Sequence, residues 1–180
     1  MTLSVGDKVY YPGRGPCLVD AVVKKVVCGT SATFYRLALL ADSGAELFVP
    51  VANLADVKFR ALVSRSEIPQ LMHHLKVRVG AVPAPPTAKG WRQREMDKLK
   101  LSGSNSAFEL ADLVETLTRL SGIKPLAFDE RETLYRARKL LICEISEVMN
   151  ESKAAAEARI DSMLESDKNK FDAQPPSEIN

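Results

Sequence analysis

Two different spacings of apolar residues divide the chain, with the change-over near its middle. In the first half, short β-branched runs alternate with turn residues, the pattern of strands. Lys8–Tyr11 reads as a short strand closed by Pro12-Gly13-Arg14-Gly15-Pro16, a dense turn signal. Cys17–Val27 carries Leu18, Val19, Val22, Val23, Val26 and Val27 and predicts a longer strand, closed by Cys28-Gly29-Thr30-Ser31. Thr33–Ala41 and Ala45–Val49 predict two more, joined through a hairpin turn at Asp42-Ser43-Gly44, the second ending at Pro50. Four or five strands at this spacing imply a strongly bent antiparallel sheet or a small open barrel. The edges of such a sheet would present backbone groups that a partner strand can pair with. Ser64-Arg65-Ser66-Glu67 then has the spacing of a capping box and predicts a short helix to about Leu75.

The second half follows the helical period. A helix is expected from Trp91 to Leu101, broken by Ser102-Gly103-Ser104-Asn105. A second opens at Ser106 with Glu109 completing a capping box, and Leu110, Leu113, Val114, Leu117 and Leu120 fall on one face. Gly122 and Pro125 end it. Asp129 with Glu132 predicts the cap of a third helix, whose buried stripe is Leu134, Ala137, Leu141, Ile145 and Val148. Ala154–Leu164 predicts a fourth, and residues 166–180 a frayed polar tail. Residues 76–90 have no periodicity and gather Gly80, Pro83, Pro85 and Pro86, the mark of a linker. The expected fold class is therefore α+β in two domains. A β-module with a short terminal helix occupies residues 1–75, a linker 76–90, an all-helical domain 91–165 and the tail 166–180.

Composition narrows the class without naming a function. Hydrophobic residues make up 46% and charged residues 27% of the chain. No apolar run approaches the roughly 20 residues needed to span a bilayer, so no membrane contact is expected. The first residues lack a basic stretch followed by an apolar one, so a cytoplasmic location is expected. Cys17, Cys28 and Cys143 are odd in number and widely spaced, which suits small buried apolar side chains in a reducing cytoplasm. The net charge of +2 hides an asymmetry. Residues 76–100 carry 7 basic and 2 acidic groups, whereas residues 151–180 carry 4 basic and 7 acidic.

Site chemistry of the enzymatic kind is absent from the pattern. His73-His74, the only histidines, are adjacent and so point in different directions on a helix. There is no GxxxxGK[ST], no GxGxxG and no metal-ligand spacing, so no catalytic residue, cofactor or metal is assigned. The basic segment Lys89-Gly90-Trp91-Arg92-Gln93-Arg94 is more informative. Its arginines can neutralise phosphate, and the single tryptophan can stack on a base or wedge between bases. A lone tryptophan also serves commonly as a core anchor, and both readings stand at this point. On the third helix Arg131 and Arg136 share a broad face compatible with two phosphates, while Glu132 could pair with Arg136 and a neighbouring carboxylate with Arg138.

Several of these segments resemble one family. Val5-Gly6-Asp7-Lys8-Val9-Tyr10-Tyr11-Pro12 with Gly15, followed by Val49-Pro50, is similar to the N-terminal module of CarD-type bacterial transcription regulators, also found in the transcription-repair coupling factor. Trp91-Arg92-Gln93-Arg94, Ser106-Ala-Phe-Glu-Leu-Ala111 and Glu130-Arg131-Glu-Thr-Leu134-Tyr-Arg-Ala137-Arg138-Lys-Leu-Leu141 resemble the helical domain of the same family. The resemblance covers about residues 3–150. It implies a Tudor-like module that binds the RNA polymerase β subunit through its sheet, with Lys25, Val27, Phe48 and Pro50 as contact candidates. It also implies a helical domain on promoter DNA at the upstream edge of the melted bubble. There Trp91 would enter the minor groove, with Arg92, Arg94, Arg131 and Arg136 beside it or near the phosphates. Such a protein would be a non-enzymatic monomer, reading little sequence and stabilising the open promoter complex. The alternative is a polymerase-binding adaptor whose helices hold another protein. Phe48 and Lys25 depart from residues that some relatives carry, Lys25 losing the bidentate fork of an arginine.

Overall fold

The computed structural model describes residues 3–42, 44–54, 56–76 and 106–165. The expected helix at 91–101, with Trp91, Arg92 and Arg94, lies outside them, as do the linker residues beyond Lys76 and the tail from residue 166. Five strands come first: β1 (Lys8–Tyr11), β2 (Gly15–Val27), β3 (Thr30–Leu39), β4 (Glu46–Pro50) and β5 (Arg60–Ala61). Four α-helices follow among the described residues: α1 (Ile68–His74), α2 (Ala107–Ile123), α3 (Phe128–Met149) and α4 (Lys153–Glu165). The strands form one antiparallel sheet in the order β4-β3-β2-β1-β5, giving the expected α+β arrangement of a sheet followed by helices.

The hairpin between β2 and β3 is tighter than the sequence suggests. Val27 pairs directly with Thr30, leaving only Cys28 and Gly29 in the turn, at φ of 51° and 78°. Positive φ at both central residues is the turn whose twist matches the flanking strands, so β3 begins at Thr30 rather than Thr33. β5 leaves no mark in the sequence pattern because two residues are too few to show alternation. It pairs Val9 with Ala61 and Tyr10 with Arg60, giving the sheet its far edge. The register of β2 slips between Val19 and Ala21, a bulge that bends this 13-residue strand. The half before the bend is buried and the half after it runs out to the exposed hairpin.

Alternation along β1 sends consecutive residues into different cores. Val9 joins Cys17, Val19, Tyr35, Leu37 and Val49 in a cluster under the sheet. Tyr10 points the other way and joins a larger cluster with α1, α2, α3 and α4, built on Leu71, Leu110, Leu141, Ile145 and Ile160. Each of those side chains is worth about 1.5–3 kcal/mol when fully buried. The helix α1 thus packs with the other helices, through Ile68, Leu71, Met72 and Leu75. Its entry matches the expected capping box: Glu67 accepts from the Ser64 N–H at 2.9 Å and the Ser64 hydroxyl at 2.6 Å. Ser106 caps α2 by accepting from the Phe108 N–H at 3.3 Å. The start of α3 falls earlier than expected. Ala127 occupies the cap, and Glu130, not Glu132, reaches back to its N–H at 2.8 Å. Pro125 restricts the residue before it, Lys124, which is extended at the end of α2 (φ −154°, ψ 157°).

Where sheet and helices meet, the backbone of Gly15 lies against α3. A Cβ built there would stand 2.5 Å from Leu140 Cδ2, the movable end of that side chain, so it is the φ of +93° that calls for glycine.

Candidate functional site

The first candidate surface is the face of the sheet opposite its core. The register places Val23 opposite Phe34, Lys25 opposite Ala32 and Val27 opposite Thr30. β4 continues the same face, with Arg36 opposite Phe48 and Phe34 opposite Pro50. Side chains alternate, so Lys25, Val27, Phe48 and Pro50 all project from this face, while Tyr35, Leu37 and Val49 are buried on the other. The four residues expected to act together are thereby brought together. The Lys25 ammonium stands 3.2 Å from the centroid of the Phe48 ring. That stack orients the cation and holds a half-exposed ring against the sheet. Arg36, beside Phe48 on β3, is neutralised by Asp20 and lies 4.0 Å from Glu46. β4 ends the sheet, so one side of its backbone carries no strand among the described residues. The result is a largely apolar plate with one placed cation and an open edge, a geometry that accepts a partner strand or a flat protein surface.

The second candidate surface is on α3. Arg131 is exposed, and Phe128 and Tyr135, three before it and four after, are 71% and 70% exposed on the same side. Arg136 is exposed too, but one of its guanidinium nitrogens donates to Gly13 O at 2.8 Å. It thus pins the β1–β2 turn to the helix instead of pairing with Glu132. Arg138 pairs with Asp161 at 2.6 Å and Glu157 at 3.4 Å on α4, as the reading of a neighbouring carboxylate allowed. Trp91, Arg92 and Arg94 lie outside the described residues.

Between the two surfaces is a joint that sequence reasoning did not pick out. Glu144 on α3 is completely buried and accepts two bonds from Arg60 of β5, at 2.6 and 2.8 Å, and a third from the Val63 N–H at 2.9 Å. The Arg60 guanidinium also stacks 3.8 Å from the centroid of the Tyr10 ring. Burial, and then the nearby Glu144 carboxylate, push the Tyr10 phenol well above its ordinary range, so it stays neutral. Around this centre, Lys8 meets Glu147 at 2.7 Å, Lys139 meets Asp42, and the Lys153 ammonium donates to Leu40 O at 2.6 Å. The Lys139 ammonium holds the Asp42 carboxyl below its ordinary 3.8. The sequence did carry a signal: Glu144 sits on the stripe of Ala137, Leu141, Ile145 and Val148, where a carboxylate needs a buried partner.

Two family models match the chain, in order and without overlap. The CarD-like/TRCF RID domain matches residues 3–62, and the CarD C-terminal domain matches residues 80–161. The chain belongs to the CarD family. The match to the RID domain gives its sheet-bearing half the character of an RNA polymerase-interacting module. In this CarD-family protein Arg60 falls within the first match and Glu144 within the second, so their ion pair ties the two matched regions together. Among the described residues no helix is long and apolar enough to cross a membrane, and no group of His, Cys, Asp or Glu side chains could hold a metal ion.

Proposed function

We propose that this protein is a transcription regulator that binds the RNA polymerase β subunit through the outer face and open edge of its sheet. Its helical domain then contacts promoter DNA and stabilises the open complex. The observation that carries the reading is the order of the two CarD matches, with a plate of exposed or half-buried residues on the sheet of the polymerase-interacting one among the described residues. Lys25, Val27, Phe48 and Pro50 form the polymerase contact. Trp91 acts as a wedge in the minor groove, at an unstacking cost of about a few kcal/mol that already distorted DNA lowers. Arg92, Arg94, Arg131 and Arg136 lie along the phosphates, Arg136 with the donors that Gly13 leaves over. A protein that binds the melted promoter better than the closed one shifts the equilibrium by that difference alone. Sequence readout is then unnecessary, because polymerase supplies the address.

One observation favours a second reading. Exposed Phe128 and Tyr135 beside Arg131 would also suit a protein partner, making the chain an adaptor. Salt dependence separates the two. Removing a single cation from the phosphates should lower the slope of log affinity against log salt by about 0.9. Binding of the full chain to duplex DNA carrying a melted segment should fall steeply with salt, and Arg131→Ala should flatten that slope by this amount. Affinity indifferent to salt would leave the adaptor.

A further inference from the structure

A groove of about 410 Å³ opens between α1, the C-terminal end of α3 and α4, sharing no residue with the sheet face or with the Arg131 side of α3. Its size falls in the range of about 300–1,000 Å³ in which clefts hold ligands. Met72 of α1, Met149 of α3 and Met163 of α4 line it. The whole chain has five methionines, so three of them converge here from three separate helices. Methionine is unbranched and polarisable, and surfaces floored with it adapt to varied apolar side chains.

The charged groups of the lining are all of one sign. Arg65, Lys76 and Arg159 line the groove, and no Asp or Glu does. Arg159 is already held by Glu151 at 3.0 Å, whereas no ion pair engages Arg65 or Lys76 among the described residues. An apolar floor under a cationic rim is complementary to a helix with large apolar side chains on one stripe and carboxylates beside it. A phosphate backbone would match the rim but not the floor.

We propose that this groove docks an acidic amphipathic helix of a protein partner, with its apolar stripe on Met72, Met149 and Met163 and its carboxylates on Arg65 and Lys76. This docking is additional to the polymerase and DNA surfaces and does not depend on them.

The test uses the full chain and two fluorescent synthetic peptides of about 15 residues, near the length at which isolated helices become stable. Both carry leucines at helical spacing; one has glutamates on its flanks and the other lysines in the same places. Fluorescence anisotropy should show the acidic peptide binding and the basic one not. Arg65→Glu with Lys76→Glu, both at exposed positions, should weaken binding about tenfold or more. Met163→Glu tests the floor separately, and thermal melting checks that each variant is folded. The proposal is overturned if neither peptide binds, if both bind equally, or if the folded variants bind as the parent does. It is equally overturned if duplex DNA displaces the acidic peptide and itself loses affinity in the Arg65 and Lys76 variant, which would make the groove a nucleic-acid surface.

Discussion

Removing the Glu144 carboxylate would leave the Arg60 guanidinium and the Val63 N–H without their acceptor, in a site with no water-facing side on the glutamate. Breaking a buried pair in this way costs about 3–5 kcal/mol, whereas replacing both members by apolar groups of similar volume is often close to neutral. Glu144→Ala should therefore lower the unfolding free energy by about 3–5 kcal/mol in a urea titration, and Arg60→Met with Glu144→Leu should recover part of it, the Val63 N–H still lacking its acceptor at a cost of about 1–3 kcal/mol. A double variant as unstable as the single one would mean that the charges themselves hold the joint. The cysteines give a second check at this scale. Burial raises the Cys17 and Cys143 thiols to about 11, while Cys28 is exposed at the hairpin tip. At pH 8 a disulfide reagent should titrate one thiol quickly in the native protein and three after denaturation. Fast reaction of a second thiol in the native state would contradict the packing described.

At the scale of elements, the sheet is where function and sequence pattern are most closely linked. β2, β3 and β4 are readable because each is a run of β-branched and apolar residues closed by turn residues, and the register of the folded sheet then puts Lys25, Val27, Phe48 and Pro50 on one face. Phe48→Ala in the full chain should weaken capture of cognate RNA polymerase about tenfold or more, since the ring and the cation it orients go together. DNA binding should be unaffected. An unchanged polymerase affinity would remove this face from the interface. The element that escapes sequence reasoning, β5, is two residues long and is held by pairing with β1 and by the reach of Arg60 to α3. Neither force leaves a local pattern. The start of α3 is misplaced by sequence for a related reason. Asp129 and Glu130 both have the chemistry of a first turn, and only the bond from the Ala127 N–H to Glu130 distinguishes Ala127 as the cap.

The whole molecule unites a polymerase-interacting sheet and a helical domain through interactions that no one segment announces. Arg60 with Glu144, Arg136 with Gly13 and Leu140 against Gly15 all bridge positions far apart in sequence. Helical periodicity is enough to identify α2, α3 and α4, but not which of their polar residues face the sheet. A fixed relation between the sheet and α3 matters to the proposed activity, because docking on polymerase can then set where the helical surface meets the promoter. The most direct measurement is the lifetime of open complexes formed by cognate polymerase, with and without this protein and its Trp91→Ala variant. The account predicts a longer lifetime with the parent protein and no such gain with Trp91→Ala, while polymerase binding persists. A protein that binds polymerase yet leaves the lifetime unchanged would contradict it.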